Sequence, residues 1–176
     1  LAKMGFSAKE TQQAMGAMVE AAVASGESLA DVSTVVATTM RMFNMQASEA
    51  GKVADIITRG ANISAQSFGS FANSIRYVGS AASAANQDLV HVAGLLDILA
   101  DRGIKGTVAG NGLQNALLRL QAPTKAAASA IADLNLAIAD TKGTASTADD
   151  TLRPMLDIIK EIKKTFAERG LNSIQQ

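Results

Sequence analysis

Gly103-Ile104-Lys105-Gly106-Thr107-Val108-Ala109-Gly110-Asn111-Gly112 runs on into Leu113, Leu117, Arg119 and Leu120, and this stretch decides the fold. It follows an amphipathic run ending in Asp101-Arg102, so Gly103 is placed to take the left-handed conformation that stops a helix without steric cost. From Ala109 the apolar positions Ala109, Leu113, Ala116, Leu117 and Leu120 recur at helical spacing, and Pro123 marks where that helix cannot continue. The pattern is helix, glycine-bounded turn, helix. Glycines around a lysine also invite a phosphate-binding reading, but a P-loop needs its lysine after the glycines and a buried strand before them. Here Lys105 precedes the glycine run, the upstream segment is helical, and Gly110-x-Gly112 lacks the third glycine of a dinucleotide fingerprint.

Outward from this stretch the composition favours the same architecture. Hydrophobic residues make up 48% of the 176 positions but aromatic residues only 3%, so small aliphatic side chains supply the apolar mass. Such residues suit close helix-on-helix packing better than a ring-lined ligand cavity. Sixteen basic and sixteen acidic residues cancel, nine of each before Pro123 and seven of each from there on. A neutral chain with one tyrosine and no tryptophan offers neither a cationic footprint nor stacking platforms, so no specific nucleic-acid binding is expected of it. Absence of cysteine excludes disulfides, thiolate nucleophiles and zinc fingers. The chain starts at Leu1 without a basic, then apolar, leader, and the charge-free run from Gly60 to Ile75 holds too much Gly, Asn, Ser and Gln to span a bilayer. No signal peptide is read, and an excised piece of a longer chain is expected.

Capping signals then mark the helices in order. Ser7 and Glu10 form a capping box, launching a helix to about Ser25 with Ala14, Met15, Met18, Ala22 and Val23 inward and Gly26 as its stop. Met4, Met15 and Met18 are read as core filling in preference to an adaptable binding surface. Ser28 with Asp31 starts a second stripe of Val32, Val35, Val36, Thr39, Met40 and Phe43, which Asn44 ends. Ala50, Val53, Ala54 and Ile57 form a third, ending near Arg59-Gly60. Ser64 is expected to cap a fourth, lined by Phe68, Phe71, Ala72, Ile75, Val78 and Ala82, with a break near Gly79-Ser80. Asp88 to Arg102 turns Leu89, Val92, Leu96 and Leu99 inward and carries His91, the single histidine, as a boundary residue. Starts near residues 7, 28, 47, 64, 88 and 107 lack the fixed period of a solenoid.

Past Pro123 the texture changes. Ala127, Ile131, Leu134 and Ile138 predict a helix over Thr124 to Asp140, the polar link Thr141 to Thr147 follows, and Leu152, Met155, Ile159, Ile162 and Phe166 mark a last helix with Pro154 in its first turn. Asp149 and Asp150 precede that helix while Lys160, Lys163, Lys164 and Arg169 crowd its second half, which matches the macrodipole without a ligand. The expected fold is all-α: a multi-helix bundle or irregular array of about six to eight helices with a C-terminal helical hairpin.

Three ordered phrases carry a resemblance. Leu99-Ala100-Asp101-Arg102-Gly103-Ile104-Lys105-Gly106-Thr107, continued by Leu113-x-x-x-Leu117-Leu118-Arg119-Leu120, resembles the core region of phage tail tape measure proteins. Val53-Ala54-Asp55-Ile56-Ile57 and Ile75-Arg76-Tyr77-Val78-Gly79 match two other phrases of that family in the same order. Gln46 stands where a serine cap would be usual. The family motif thus maps onto Gly103, Ile104, Lys105, Gly106, Gly110, Leu113, Leu117, Arg119 and Leu120, in structural roles. The resemblance implies residues 1–122 as a helical tape-measure core and 123–176 as an extension. It implies a virion component of the tail lumen, assembled in the host cytoplasm, that sets tail length and leaves ahead of the DNA. Implied partners are tail tube and tail-tip or initiator proteins, assembly chaperones and further copies of the parent chain; any membrane contact would lie elsewhere in that parent. A soluble helical adaptor or secreted effector binding partner helices is the alternative.

No catalytic, metal or cofactor site is expected. Glycan cleavage would need a carboxylic acid of raised pKa in a cleft, with aromatic platforms for sugar rings. The glutamates are Glu10, Glu20, Glu27, Glu49, Glu161 and Glu168; the first is a capping residue, and most of the five phenylalanines fall on core stripes.

Overall fold

In a computed structural model, which describes residues 7–139 and 152–168, the chain forms eight α-helices and no strand among those residues. They are α1 Ala8–Ser25, α2 Leu29–Met42, α3 Ala50–Ile63, α4 Phe68–Ala84, α5 Leu89–Asp101, α6 Gly106–Gln121, α7 Lys125–Asp133 and α8 Met155–Glu168, with a 3-10 turn at Ala47–Glu49. Met4, the link Thr141 to Thr147, Asp149, Asp150 and Arg169 lie outside the described residues. Two compact units divide the chain: the described residues of Leu1–Ser83 with Asp88–Gln114, and those of Ala84–Gln87 with Asn115–Gln176.

Local chemistry sets the starts. Ser7 Oγ accepts from the Glu10 N–H at 3.2 Å while Glu10 Oε2 accepts from the Ser7 N–H at 2.7 Å, satisfying two donors that the first turn of α1 leaves over. Ser28 and Asp88 accept likewise from the N–H groups of Asp31 and His91. At the 3-10 turn the Gln46 N–H donates to Glu49 Oε2 at 3.0 Å. The cap of α4 is Ser67, whose Oγ accepts from the Ser70 N–H at 3.1 Å, and not Ser64. Ser64 instead ends α3, its hydroxyl donating back to the Gly60 carbonyl at 2.6 Å.

The stops share one geometry. After α5 the Gly103 N–H donates to the Ala100 carbonyl and the Ile104 N–H to the Leu99 carbonyl, with Gly103 at φ +79°, which is a Schellman closure. The same pair of bonds closes α2 around Asn44, α3 around Ala65 and α7 around Asn135, each at positive φ. The last closure corrects the expected helix to Asp140. The chain leaves the helix at Asn135, and buried Leu136 to Ala139 run on in a non-helical segment that ends in an antiparallel bridge from Ala139 to Leu152.

In the first unit α3 packs against α1, α2 and α5. Val32, Val36, Val53, Ile57, Phe71, Ile75, Val78 and Val92 are wholly buried there, each worth about 1.5–3 kcal/mol on leaving water. Two glycines expected to interrupt helices lie inside them. A Cβ on Gly60 would sit 2.3 Å from Phe71 Cζ, and one on Gly79 would sit 2.9 Å from Met42 Sδ. Both buy helix proximity at a cost in propensity, and α3 and α4 run unbroken past them. On α1 the inward face is Ala14, Met18 and Ala21, whereas Met15 and Val23 are exposed. In the second unit the buried Gln87 amide donates to the Ala85 and Arg153 carbonyls at 2.9 and 3.1 Å and accepts from the Met155 N–H at 2.7 Å, fixing the start of α8.

Ala65 is exposed, yet holds φ +48°, where an L-residue with a Cβ is strained by about 1–2 kcal/mol. Ala65→Gly should therefore stabilise the protein by about 1 kcal/mol after the added entropy of an unfolded glycine is subtracted; chemical denaturation midpoints against the parent sequence measure it.

Candidate functional site

The glycine-bounded turn between α5 and α6 is the best-built polar feature of the first unit. Gln66, just past the stop of α3, accepts from the Gly106 N–H at 3.0 Å and from Ser70 Oγ at 3.0 Å, while its Nε2 donates to Ser64 Oγ at 3.0 Å. One α-turn further along α4, the Ser74 hydroxyl donates to the Gly106 carbonyl at 2.7 Å. Lys105 Nζ donates to the Ala65 carbonyl at 3.3 Å, so the cation sits at the negative end of α3. The lysine that could have suggested phosphate binding is a C-terminal helix partner, and both main-chain groups of Gly106 are used by side chains of the α3–α4 corner.

Beyond the turn, α6 lies directly on α4. A Cβ on Gly110 would come 2.4 Å from the Ser74 carbonyl oxygen and 3.0 Å from Tyr77 Cβ. Because those are backbone and Cβ atoms, the neighbour cannot swing aside. Leu113 and Leu117 are buried, Leu120 is half-buried, and Arg119 and Ile104 are exposed. Thus the turn phrase and the phrase Ile75 to Gly79 meet at one contact, while in the phrase Val53 to Ile57 the residues Val53, Ala54 and Ile57 point inward and Asp55 pairs with Arg59 at 2.7 Å. The Arg76 guanidinium lies 5.7 Å over the Tyr77 ring. Sequence reasoning missed Gln66, Ser70 and Ser74; the spacing of Ser67, Ser70 and Ser74, which shares one face of α4, was the available signal.

Elsewhere several titratable groups are engaged locally. His91 Nδ1 lies 2.9 Å from Asp88 Oδ2, so the imidazole completes a helix cap at the surface. Hydrogen bonds from the Ser7 hydroxyl and N–H hold the Glu10 carboxyl below its ordinary value, opposite to what a general acid requires. In the second unit Arg153 Nη1 donates to Glu161 Oε2 and to the Ala137 carbonyl, both at 2.6 Å, and Glu161 Oε1 accepts from the Ala137 N–H. This clasp lines an open cleft of about 630 Å³ with Lys160, Lys164, Thr165 and Glu168. Among the described residues no group of three His, Cys, Asp or Glu side chains could hold a metal, and no helix is long and apolar enough to cross a membrane.

Asp97 stands apart. Its Oδ1 is buried without a hydrogen-bond partner, and desolvation, aided by the Asp101 charge one turn on, pushes its pKa up from 3.8 to about 6.

These features define a class: an all-α protein built on close helix contact, whose ordered sequence phrases serve capping and packing. Comparison with known proteins then places it. The chain matches the family model described as phage-related minor tail protein over residues 1–174, and it belongs to that family. It is 34% identical over 167 residues to the tape measure protein of Pneumococcus phage Dp-1, covering 95% of this chain and 14% of that protein. To the probable tape measure protein of Escherichia phage P2 it is 26% identical over 176 residues, all of this chain and 21% of the relative. The chain therefore spans about one seventh to one fifth of the length of these relatives. No solved structure matches it.

Three substitutions test these features, the first two read by chemical denaturation midpoints and the third by melting temperature. Gly110→Ala should destabilise by about 1–3 kcal/mol despite a better helix former, because α6 must move off α4. Gly112→Ala, with open space where its Cβ would go, should stabilise by up to about 1 kcal/mol. Asp97→Asn should raise the melting temperature at pH 7.5. The folded state binds the Asp97 proton more tightly than the unfolded one, so this residue's contribution is full below about pH 4 and is lost as pH rises through about 6. The gap between variant and parent should therefore close as pH falls from 6 to 4.

Proposed function

We propose that the chain is a segment of a phage tail tape measure protein, a structural virion component that sets tail length as the tube polymerises and is released ahead of the DNA. The observation that carries this reading is the 34% identity to the Dp-1 tape measure protein across 95% of the chain. The physical rationale lies in the parent chain. A helix advances about 1.5 Å per residue, so the length of a long helical parent can be converted into tube length as subunits stack around it. In this reading the segment works in the tail lumen after assembly in the host cytoplasm. The parent contacts tube, tail-tip or initiator proteins and assembly chaperones, and associates with its own copies. Residues 1–122 form the core region and 123–176 its extension. In this reading the segment is structural and not catalytic, with Glu10 engaged in a helix cap and Glu161 in the Arg153 clasp.

In-frame deletions in the parent gene outside this segment, with tails measured by electron microscopy, test the reading. Each deleted residue should shorten the tail by about 1.5 Å. Tails of unchanged length across a series of such deletions would refute it.

A further inference from the structure

We infer that the first unit of this segment is not part of the ruler but a folded body within the tape, contributing nothing to tail length in proportion to its residues. The inference rests on the tape measure reading and deepens it. A ruler residue must advance along the tube axis, and here the chain turns back on itself. The longest helix among the described residues, α1, has 18 residues and so spans about 27 Å. Each helix from α2 to α5 is closed by a left-handed residue, Asn44, Ala65, Asn86 or Gly103, none of which can be passed by a continuous helix. In the first unit the returning helices are locked by contacts that span the turns. α3 packs on α1, α2 and α5; Gly60 receives Phe71; Gly110 meets the Ser74 backbone; and Ser74 and Gln66 hold both main-chain groups of Gly106. Drawn into one rod, residues 8–114 would measure about 160 Å, and every one of those contacts would be lost. Buried Val, Ile and Phe side chains favour the folded body strongly over the rod.

Two experiments on the full-length parent in assembling phage decide it. In the first, a 20-residue helix-forming insertion is placed between Met45 and Gln46, at the turn after α2, and the same insertion is placed in the parent outside this segment. The inference expects unchanged tail length for the first and about 30 Å of lengthening for the second. Lengthening by about 30 Å from the insertion at Met45 overturns it. If neither insertion lengthens the tail, the tape measure reading itself falls, and this inference with it.

The second covers the case in which the insertion prevents assembly. The sequence has no cysteine, and a Cβ on Gly51 would lie 3.3 Å from Ala17 Cβ, close to the roughly 3.5–4.5 Å spanned by a disulfide. Ala17→Cys with Gly51→Cys should therefore form an intrachain disulfide in purified tails of normal length, read by non-reducing electrophoresis and peptide mapping. In a straight rod these positions stand about 51 Å apart in every copy. Free thiols at both positions after oxidation of intact tails would overturn the inference.

Discussion

Everything in the first unit depends on helices approaching more closely than a β-carbon allows. At Gly110 the intruding atom is the carbonyl oxygen of Ser74, at Gly60 it is the Phe71 ring, and at Gly79 the Met42 sulfur. Glycine inside a helix costs about 1 kcal/mol against alanine, so its presence at these contacts is a local sacrifice that tertiary packing must return. Chains with few rings and much alanine can afford little else. Their cores gain dispersion contacts by proximity, because bulky side chains are not there to fill a wider gap.

That trade explains what could be read from the sequence and what could not. Helix existence, the caps at Ser7 and Ser28, and the left-handed stop at Gly103 were legible because each rests on residues three or four apart. The errors came where a residue's local signal was overruled from a distance. Gly60 and Gly79 look like stops until their partners across the core are known. Ser64 looks like a start, but its hydroxyl turns back to Gly60, and the start belongs to Ser67. Ala65 gives no signal at all, since alanine is a poor left-handed residue, and only the closure of α3 onto Gln66 puts it there. Ile138 continued an apparent heptad seam although Asn135, three residues earlier, had already left the helix.

The turn at Gly103 to Gly106 shows how similar compositions serve different chemistry. A phosphate loop leaves successive N–H groups pointing at an empty cradle. Here the Gly106 N–H is taken by Gln66, its carbonyl by Ser74, and the lysine by the Ala65 carbonyl. The turn is thus a joint between two corners of the fold, and its polar groups are spent on the protein itself. For the same reason the motif residues fall into two sets. Gly106 and Gly110 set the approach of α6 to α4, while Leu113 and Leu117 fill space and Arg119 stays in solvent.

The Gln87 amide gives α8 an unusual dependence. Pro154 brings no side-chain acceptor, and the first N–H of the helix, on Met155, is answered by a side chain 68 positions earlier in the chain. Closing so large a loop carries an entropic charge that a neighbouring serine or aspartate would not incur. Helix α8 is consequently no autonomous element: its first turn is completed only once a distant stretch of backbone has already found its place, which ties it to the turn that follows α4.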